Sequence, residues 1–204
     1  MADLRRILSS LGRRDEVERL IKDSPSPSLA RTNLVRLAES GGLKSFKKIP
    51  WGQFPPLLQL LGGSAYLSDI LIRAGEGWPD LFLQQIKTAQ KTASDHLAEL
   101  SSQMNAAMSA ERLAQLLRQH KQREFLRIGA RDLSPSVPVE ETMRELCALA
   151  EASLEAACRS CRSEVEKDFG PLCLPGTERP NRFVIMGMGK LGGKELNFSS
   201  DIDI

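Results

Sequence analysis

The chain has 204 residues, 41% hydrophobic and 26% charged, with 28 Lys and Arg against 26 Asp and Glu for a formal net charge of +2. That length allows one or two domains with a sizeable core, and so even a charge gives no electrostatic footing for nucleic acid or an anionic membrane. No apolar run approaches the roughly eighteen residues of a bilayer span, and Met1-Ala-Asp-Leu-Arg-Arg6 lacks the apolar core of a signal peptide. A cytoplasmic chain with its four cysteines as thiols is therefore expected.

Residues 1–22 carry two short amphipathic stretches, Leu4, Ile7, Leu8 and Leu11 on one face and Val17, Leu20 and Ile21 on another. Gly12 and Asp23-Ser-Pro-Ser-Pro-Ser28 bound them, which predicts two small helices of a bundle. A third is expected from residue 29 to 38, where Leu34, Val35, Leu37 and Ala38 precede the stop at Gly41-Gly42. Between Gly41 and Pro56 the chain reads as a loop. Lys44, Lys47 and Lys48 around Phe46 interleave basic and aromatic groups as in a single-strand nucleic-acid contact, although a solvated loop accounts for them as well.

From Pro56 onward Leu57, Leu58, Leu60, Leu61, Tyr66, Leu67, Ile70 and Leu71 make an apolar helical region broken at Gly62-Gly63-Ser64, with Ser64 placed to cap its second half. Trp78-Pro79 opens another helix, and Tyr66, Trp78 and Phe82 read as buried anchors between helices rather than a stacking platform. Residues 83–133 are helical and polar, with a capping signal at Ser109-Ala-Glu-Arg112 before Leu113, Leu116 and Leu117. Phe125, Leu126 and Ile128 with Leu133 are expected to face the core. Arg123, Arg127 and Arg131, four residues apart, form a positive stripe that could meet phosphate, or a solvated face with Glu124 and Asp132 as partners. His96 and His120 have no motif partners and are expected at the surface.

Ser134-Pro-Ser-Val-Pro138 marks a turn, and the strongest helix of the chain follows from Val139 to Phe169. Glu140 and Glu141 suit its positive start and Gly170-Pro171 its stop. Cys147, Cys158 and Cys161 fall on one helical stripe with Met143, Leu154 and Val165, and Cys173 lies past the stop. With no second pair of ligands nearby, thiols packed as small apolar groups are expected rather than zinc ligands. Three prolines and two glycines make residues 170–181 a linker, so residues 1–169 are read as a helical region and residues 182–204 as the start of a second domain.

That last stretch carries the chemistry. Phe183 to Met186 are four apolar residues suited to a buried strand, and Gly187, Gly189, Gly192 and Gly193 let the backbone turn tightly. Lys190 to Leu196 could form about two helical turns before Asn197-Phe-Ser-Ser200 breaks the pattern. On an extended strand Asp201 and Asp203 would project to one side and Ile202 and Ile204 to the other. Two carboxylates so spaced suit a hard cation and phosphate oxygens. A P-loop fails because Leu191 stands where Ser or Thr should follow Lys190. Gly187-x-Gly189-x-x-Gly192 fits a dinucleotide fingerprint, but the helix after it is too short for a crossover. A nucleotidyltransferase site, a glycine turn followed by a carboxylate pair, accounts for both glycines and acids.

The seventeen residues from Gly187-Met-Gly-Lys-Leu-Gly-Gly-Lys-Glu-Leu to Asn-Phe-Ser-Ser-Asp-Ile-Asp203 resemble the signature of the bifunctional glutamine synthetase adenylyltransferase and adenylyl-removing enzymes, within the polymerase-beta-like nucleotidyltransferases. Residues 124–133 and the Gly-Gly-Ser-Ala-Tyr-Leu segment beginning at Gly62 are also similar to that family. The resemblance implies a mainly α chain: a helical N-terminal region followed by the first strands of an α+β nucleotidyltransferase domain, truncated at the C-terminus. It implies removal of AMP from a tyrosine of glutamine synthetase by phosphorolysis, yielding ADP, and, in the full-length enzyme, attachment of AMP from ATP. Asp201 and Asp203 would be catalytic and hold Mg2+; Gly187, Gly189, Lys190 and Gly192 would bind nucleotide or phosphate, with Ser200 either beside them or shaping the turn. Glutamine synthetase, ATP or ADP, phosphate and a nitrogen-signalling regulatory protein are the implied partners, with neither nucleic acid nor membrane among them. The family's third carboxylate has no counterpart before Ile204, so the piece is expected to be incomplete and inactive alone. Two other readings stay open, a helical interaction module that docks glutamine synthetase or partner domains and the start of a dinucleotide-binding oxidoreductase.

Overall fold

The computed structural model describes residues 4–86, 89–105, 108–133, 137–179 and 181–204. Among them are ten α-helices: α1 (Leu4–Leu11), α2 (Arg14–Lys22), α3 (Pro27–Gly41), α4 (Phe54–Gly63), α5 (Ala65–Arg73), α6 (Trp78–Gln85), α7 (Ala93–Ser101), α8 (Ala110–Asp132), α9 (Val139–Phe169) and α10 (Gly189–Gly192). They fall into two compact units, Met1–Ala89 with Gln122–Pro138, and Gln90–Lys121 with Val139–Ile204. None of the helices is long and apolar enough to cross a membrane.

The first unit is a small helical bundle whose ends are set by local chemistry. Ser26 accepts the Leu29 amide and Pro27 occupies the first turn, where a missing N–H costs nothing, so α3 starts there. Ser64 does the same for α5 by accepting the Leu67 amide at 3.2 Å, as its position after the paired glycines predicts. Ile7 and Leu8 of α1, Val17 and Ile21 of α2, and Leu57, Leu58, Leu60 and Leu61 of α4 are all buried. The buried Asn33 side chain donates to the Leu61 carbonyl at 2.9 Å, tying α3 to α4 with its amide satisfied.

Residues 41–56 depart from the expected solvated loop. Leu43–Lys48 and Trp51–Gln53 form 3-10 turns, Phe46 is buried with its ring 5.1 Å from that of Trp78, and Lys48 approaches Asp80 at 3.7 Å. Phe46 is thus a core residue, with no face left for a base to stack on. Trp78 and Phe82 are buried as anchors, whereas Tyr66 is half exposed and meets Phe125 edge-on at 6.1 Å. Gly41 exists to make room for Trp78: a Cβ there would lie 2.5 Å from Trp78 Cδ1 and 2.9 Å from the Gly75 carbonyl. Neither a buried indole nor backbone can step aside, so Gly41→Ala is expected to destabilise this unit by about 1–3 kcal/mol, read as a lowered urea midpoint with unchanged slope.

The arginine stripe is also corrected. Arg123 is exposed, but Arg127 is fully buried. Its Nε donates to Glu124 Oε2 at 2.6 Å and one terminal nitrogen donates to the Ala89 carbonyl at 3.0 Å, with Glu124 itself buried. Pattern alone puts Arg127 on the wet side of α8, because a three-residue step to Glu124 reads equally as a surface ion pair. Phe125, Leu126 and Ile128 are buried as expected.

In the second unit α7 packs along α9. A capping box opens α7: Thr92 Oγ1 accepts the Asp95 amide while the Asp95 carboxylate accepts the Thr92 amide at 2.7 Å. The Thr92 side-chain and backbone hydrogen bonds hold the Asp95 carboxyl below its usual range. Leu100, Leu116 and Ala156 form the apolar centre, flanked by Leu97, Met104, Met108 and Leu117. Helix α9 has the bounds that its sequence signals set, ending at Gly170 with φ 75. Burial fades along it: Cys147 is buried, Cys158 half-buried and Cys161 exposed, so the cysteine stripe is packed only at its N-terminal end. His96 and His120, expected at the surface, are instead buried side by side.

The expected first strands of an α+β domain are absent among the described residues. Phe183, Val184 and Met186 run without a neighbouring strand and are largely exposed, and sheet-like pairing is confined to isolated contact such as the antiparallel bridge between Met188 and Asp203. A strand is defined by the ladder that satisfies its N–H and C=O groups, so an apolar run with no adjacent edge has nothing to pair with.

Candidate active site

The glycine-rich segment forms one tight structure at the end of the second unit. Met188 donates its N–H to the Asp203 carbonyl at 2.8 Å, and α10 begins at the next residue. The Gly192 and Gly193 amides close helical bonds to Met188 and Gly189 at 2.9 and 3.0 Å, and the Glu195 amide closes the end of the turn on the Lys190 carbonyl at 2.8 Å. The helix is one turn long rather than the two that Lys190 to Leu196 suggested, because Gly192 and Gly193 are followed by Lys194 at φ 60. That left-handed residue reverses the chain, and its ammonium is hydrogen-bonded to Glu151 of α9.

Three of the four glycines each have a separate reason. Gly189 has φ 50, and a Cβ on it would fall 2.5 Å from Asp203 Oδ2. A Cβ on Gly192 would fall 2.6 Å from the Gly187 carbonyl, and one on Gly187 would meet the buried Leu191 side chain at 2.9 Å. The backbone of the turn is therefore closed on itself, with a carboxylate laid directly against it. A groove of about 500 Å³ runs beside the turn, lined by Glu151, Glu155, Cys158, Gly187, Gly192 and Lys194 among others.

Asp201, Asp203 and Lys190 are exposed. Ser200 is tied into the preceding turn: it donates to Asn197 Oδ1 at 2.9 Å and accepts the Asn197 amide at 3.2 Å, while Ser199 N–H donates to the same Oδ1 at 3.0 Å. The arrangement of the expected site residues is therefore Gly187, Gly189, Gly192 and Asp203 in contact around one turn, with Ser200 holding the loop that leads to the acids. What sequence reasoning missed is the buried pair of His96 and His120, whose ring nitrogens are 3.2 Å apart. The usable signal was His96-x-x-Glu99, two metal-ligand types on one face of a short helix.

Comparison with known proteins bears on the same residues. The family described as glutamate-ammonia ligase adenylyltransferase matches residues 54–204. A protein of Thioalkalivibrio sulfidiphilus named bifunctional glutamine synthetase adenylyltransferase/adenylyl-removing enzyme is 37% identical over 185 residues, covering 87% of this chain and 18% of the relative. Proteins of the same name from Shewanella oneidensis and Pseudomonas aeruginosa are 35% and 40% identical over 72% and 52% of this chain, and 15% and 11% of their own lengths. The match thus spans less than a fifth of the curated relatives' length. No solved structure matches. With three quarters of its residues inside the family match, from the buried Phe54 of α4 through the glycine turn to the aspartates, the chain belongs to the glutamate-ammonia ligase adenylyltransferase family.

Proposed function

We propose that this chain is part of a cytoplasmic enzyme that removes AMP from an adenylylated tyrosine of glutamine synthetase, using inorganic phosphate and releasing ADP. The same full-length enzyme attaches AMP from ATP and answers to a nitrogen-signalling regulatory protein. The observation that carries the reading is the carboxylate of Asp203 held against the Gly189 backbone, where any side chain would collide with it. The relatives' names support the substrate and the two directions of transfer. Nothing in the family match favours a dinucleotide-binding oxidoreductase or a purely helical docking module.

Asp201 and Asp203 offer a hard, all-oxygen donor set, which fits Mg2+ held by one or two carboxylates and completed by phosphate oxygens. Bound there, the cation supplies neutralisation of charge on the oxygens of the AMP phosphorus and on the departing tyrosine. The rest falls to the chain itself. The first-turn amides of α10 have no acceptor within so short a helix, so Gly189, Lys190 and Leu191 can each donate to a phosphate oxygen. The exposed Lys190 ammonium adds positive charge beside them. The absence of Cβ atoms at Gly187, Gly189 and Gly192 lets the turn close on itself, with Leu191, Asp203 and the Gly187 carbonyl in the places side chains would take. In the reaction a phosphate oxygen bonds to the AMP phosphorus as the bond from phosphorus to tyrosine oxygen breaks, and the tyrosine oxygen regains a proton.

The test is a chimaera in which residues 1–204 replace the matching segment of the Thioalkalivibrio relative. With phosphate it is expected to strip AMP from adenylylated glutamine synthetase. A chimaera that melts cooperatively yet leaves the tyrosine modified would reject the reading.

A further inference from the structure

We propose that His96, Glu99 and His120 form a binding site for one divalent transition-metal ion of the zinc class, separate from the aspartate pair and independent of the catalytic reading. His96 and Glu99 stand one turn apart on α7 and His120 projects from α8, all within the second unit. His96 Nδ1 and His120 Nε2 are 3.2 Å apart, with their rings nearly perpendicular at 87°. Their ligand atoms and a Glu99 carboxylate oxygen all lie within 4.8 Å of one another.

At that distance one ring nitrogen donates its hydrogen to the other. The same distance is also the edge of a metal polyhedron. At Zn–N bonds of about 2.0–2.1 Å, tetrahedral geometry puts neighbouring ligand atoms about 3.3–3.4 Å apart, so the two nitrogens already stand near the spacing of neighbouring ligands, and a cation can take the place between them once the donating ring carries its proton on its other nitrogen. Only the third ligand must close in, and Glu99 is the mobile member: its side chain is 44% exposed, while His96 and His120 are enclosed.

The supporting shell is already built. The Lys91 ammonium lies 2.7 and 2.9 Å from the two Glu99 oxygens, so one oxygen can turn to the cation while the other keeps the lysine, as an outer partner that orients a ligand. The Lys91 amide donates to the buried Glu145 of α9 at 3.0 Å, fixing the strap that leads into α7. The Thr92–Asp95 capping box holds the start of that helix. Two imidazoles and a carboxylate suit zinc, cobalt, nickel or iron, and the soft nitrogen ligands disfavour magnesium and calcium.

The experiment titrates Co2+ into the chain after exhaustive dialysis against a chelator, reading visible absorption, followed by competition with Zn2+. One equivalent is expected to give d–d bands of a nitrogen and oxygen site without thiolate charge-transfer absorption, and Zn2+ is expected to abolish them. His96→Gln and His120→Gln are each expected to weaken Co2+ binding by more than the ~10–100-fold that loss of an outer partner alone produces. Replacing all four cysteines by Ser should leave the spectrum unchanged. Because the first reading uses the unaltered chain, a folding defect in a histidine variant does not decide the matter. Absence of the bands in the unaltered chain, or bands that vanish with the cysteines and survive both histidine variants, overturns the proposal.

Discussion

In the chimaeric enzyme described above, replacing both Asp201 and Asp203 by Asn is expected to lower the rate of AMP removal by at least ~100-fold, the scale seen when a group that meets developing charge is lost. Both side chains are exposed, and the Asp203 backbone carbonyl, rather than its carboxylate, accepts the Met188 hydrogen bond. Asn preserves volume and that backbone bridge, so the melting transition should stay within about 0.5 kcal/mol of the parent, as for an ordinary surface change. Initial rates at saturating phosphate, set beside thermal unfolding, separate the two effects. An unchanged rate in a folded double variant would remove the acids from the site.

The largest effect on stability is expected at Arg127. Its guanidinium is enclosed against Glu124 and the Ala89 carbonyl, so Arg127→Ala strands a buried carboxylate and should cost about 3–5 kcal/mol. The paired change Arg127→Met with Glu124→Leu removes both charges while keeping apolar bulk. It should recover most of that loss, since exchanging a buried ion pair for packing is often neutral. Chemical denaturation of the three chains checks this. Equal losses in the single and paired variants would mean that the hydrogen-bonded charges themselves, rather than packing volume, hold this part of α8.

Much of the helical layout was legible because helix ends are written in short-range chemistry. Val139–Phe169 begins after Pro138 and stops at Gly170, and the structure gives those same bounds. Ser64 caps α5 as its place after two glycines required, and Ser109 accepts the Arg112 amide at the start of α8. The failures share a different cause. Phe46, Arg127, His96 and His120 were all placed toward solvent, and all are buried. For each of them the deciding neighbour is distant in sequence: Trp78 for Phe46, Ala89 for Arg127, and each histidine for the other. Periodicity describes one helix at a time and carries no information about which polar groups another helix will satisfy. The strands absent among the described residues follow the same logic, since Phe183 to Met186 have strand composition but no edge to join among those residues.

Within the site, the sequence pointed to the glycines and the aspartates through their spacing and family likeness. It could not indicate that Gly189 and Asp203 touch, because thirteen residues and a left-handed turn at Lys194 separate them. That contact gives the most direct measurement: transfer of labelled phosphate into ADP from adenylylated glutamine synthetase by the chimaera, with and without Gly189→Val. Label is predicted in ADP with the parent and nearly none with the variant, whose side chain would occupy the place of Asp203 Oδ2. Release of unlabelled AMP in place of labelled ADP, or full transfer by a folded Gly189→Val enzyme, would contradict the account.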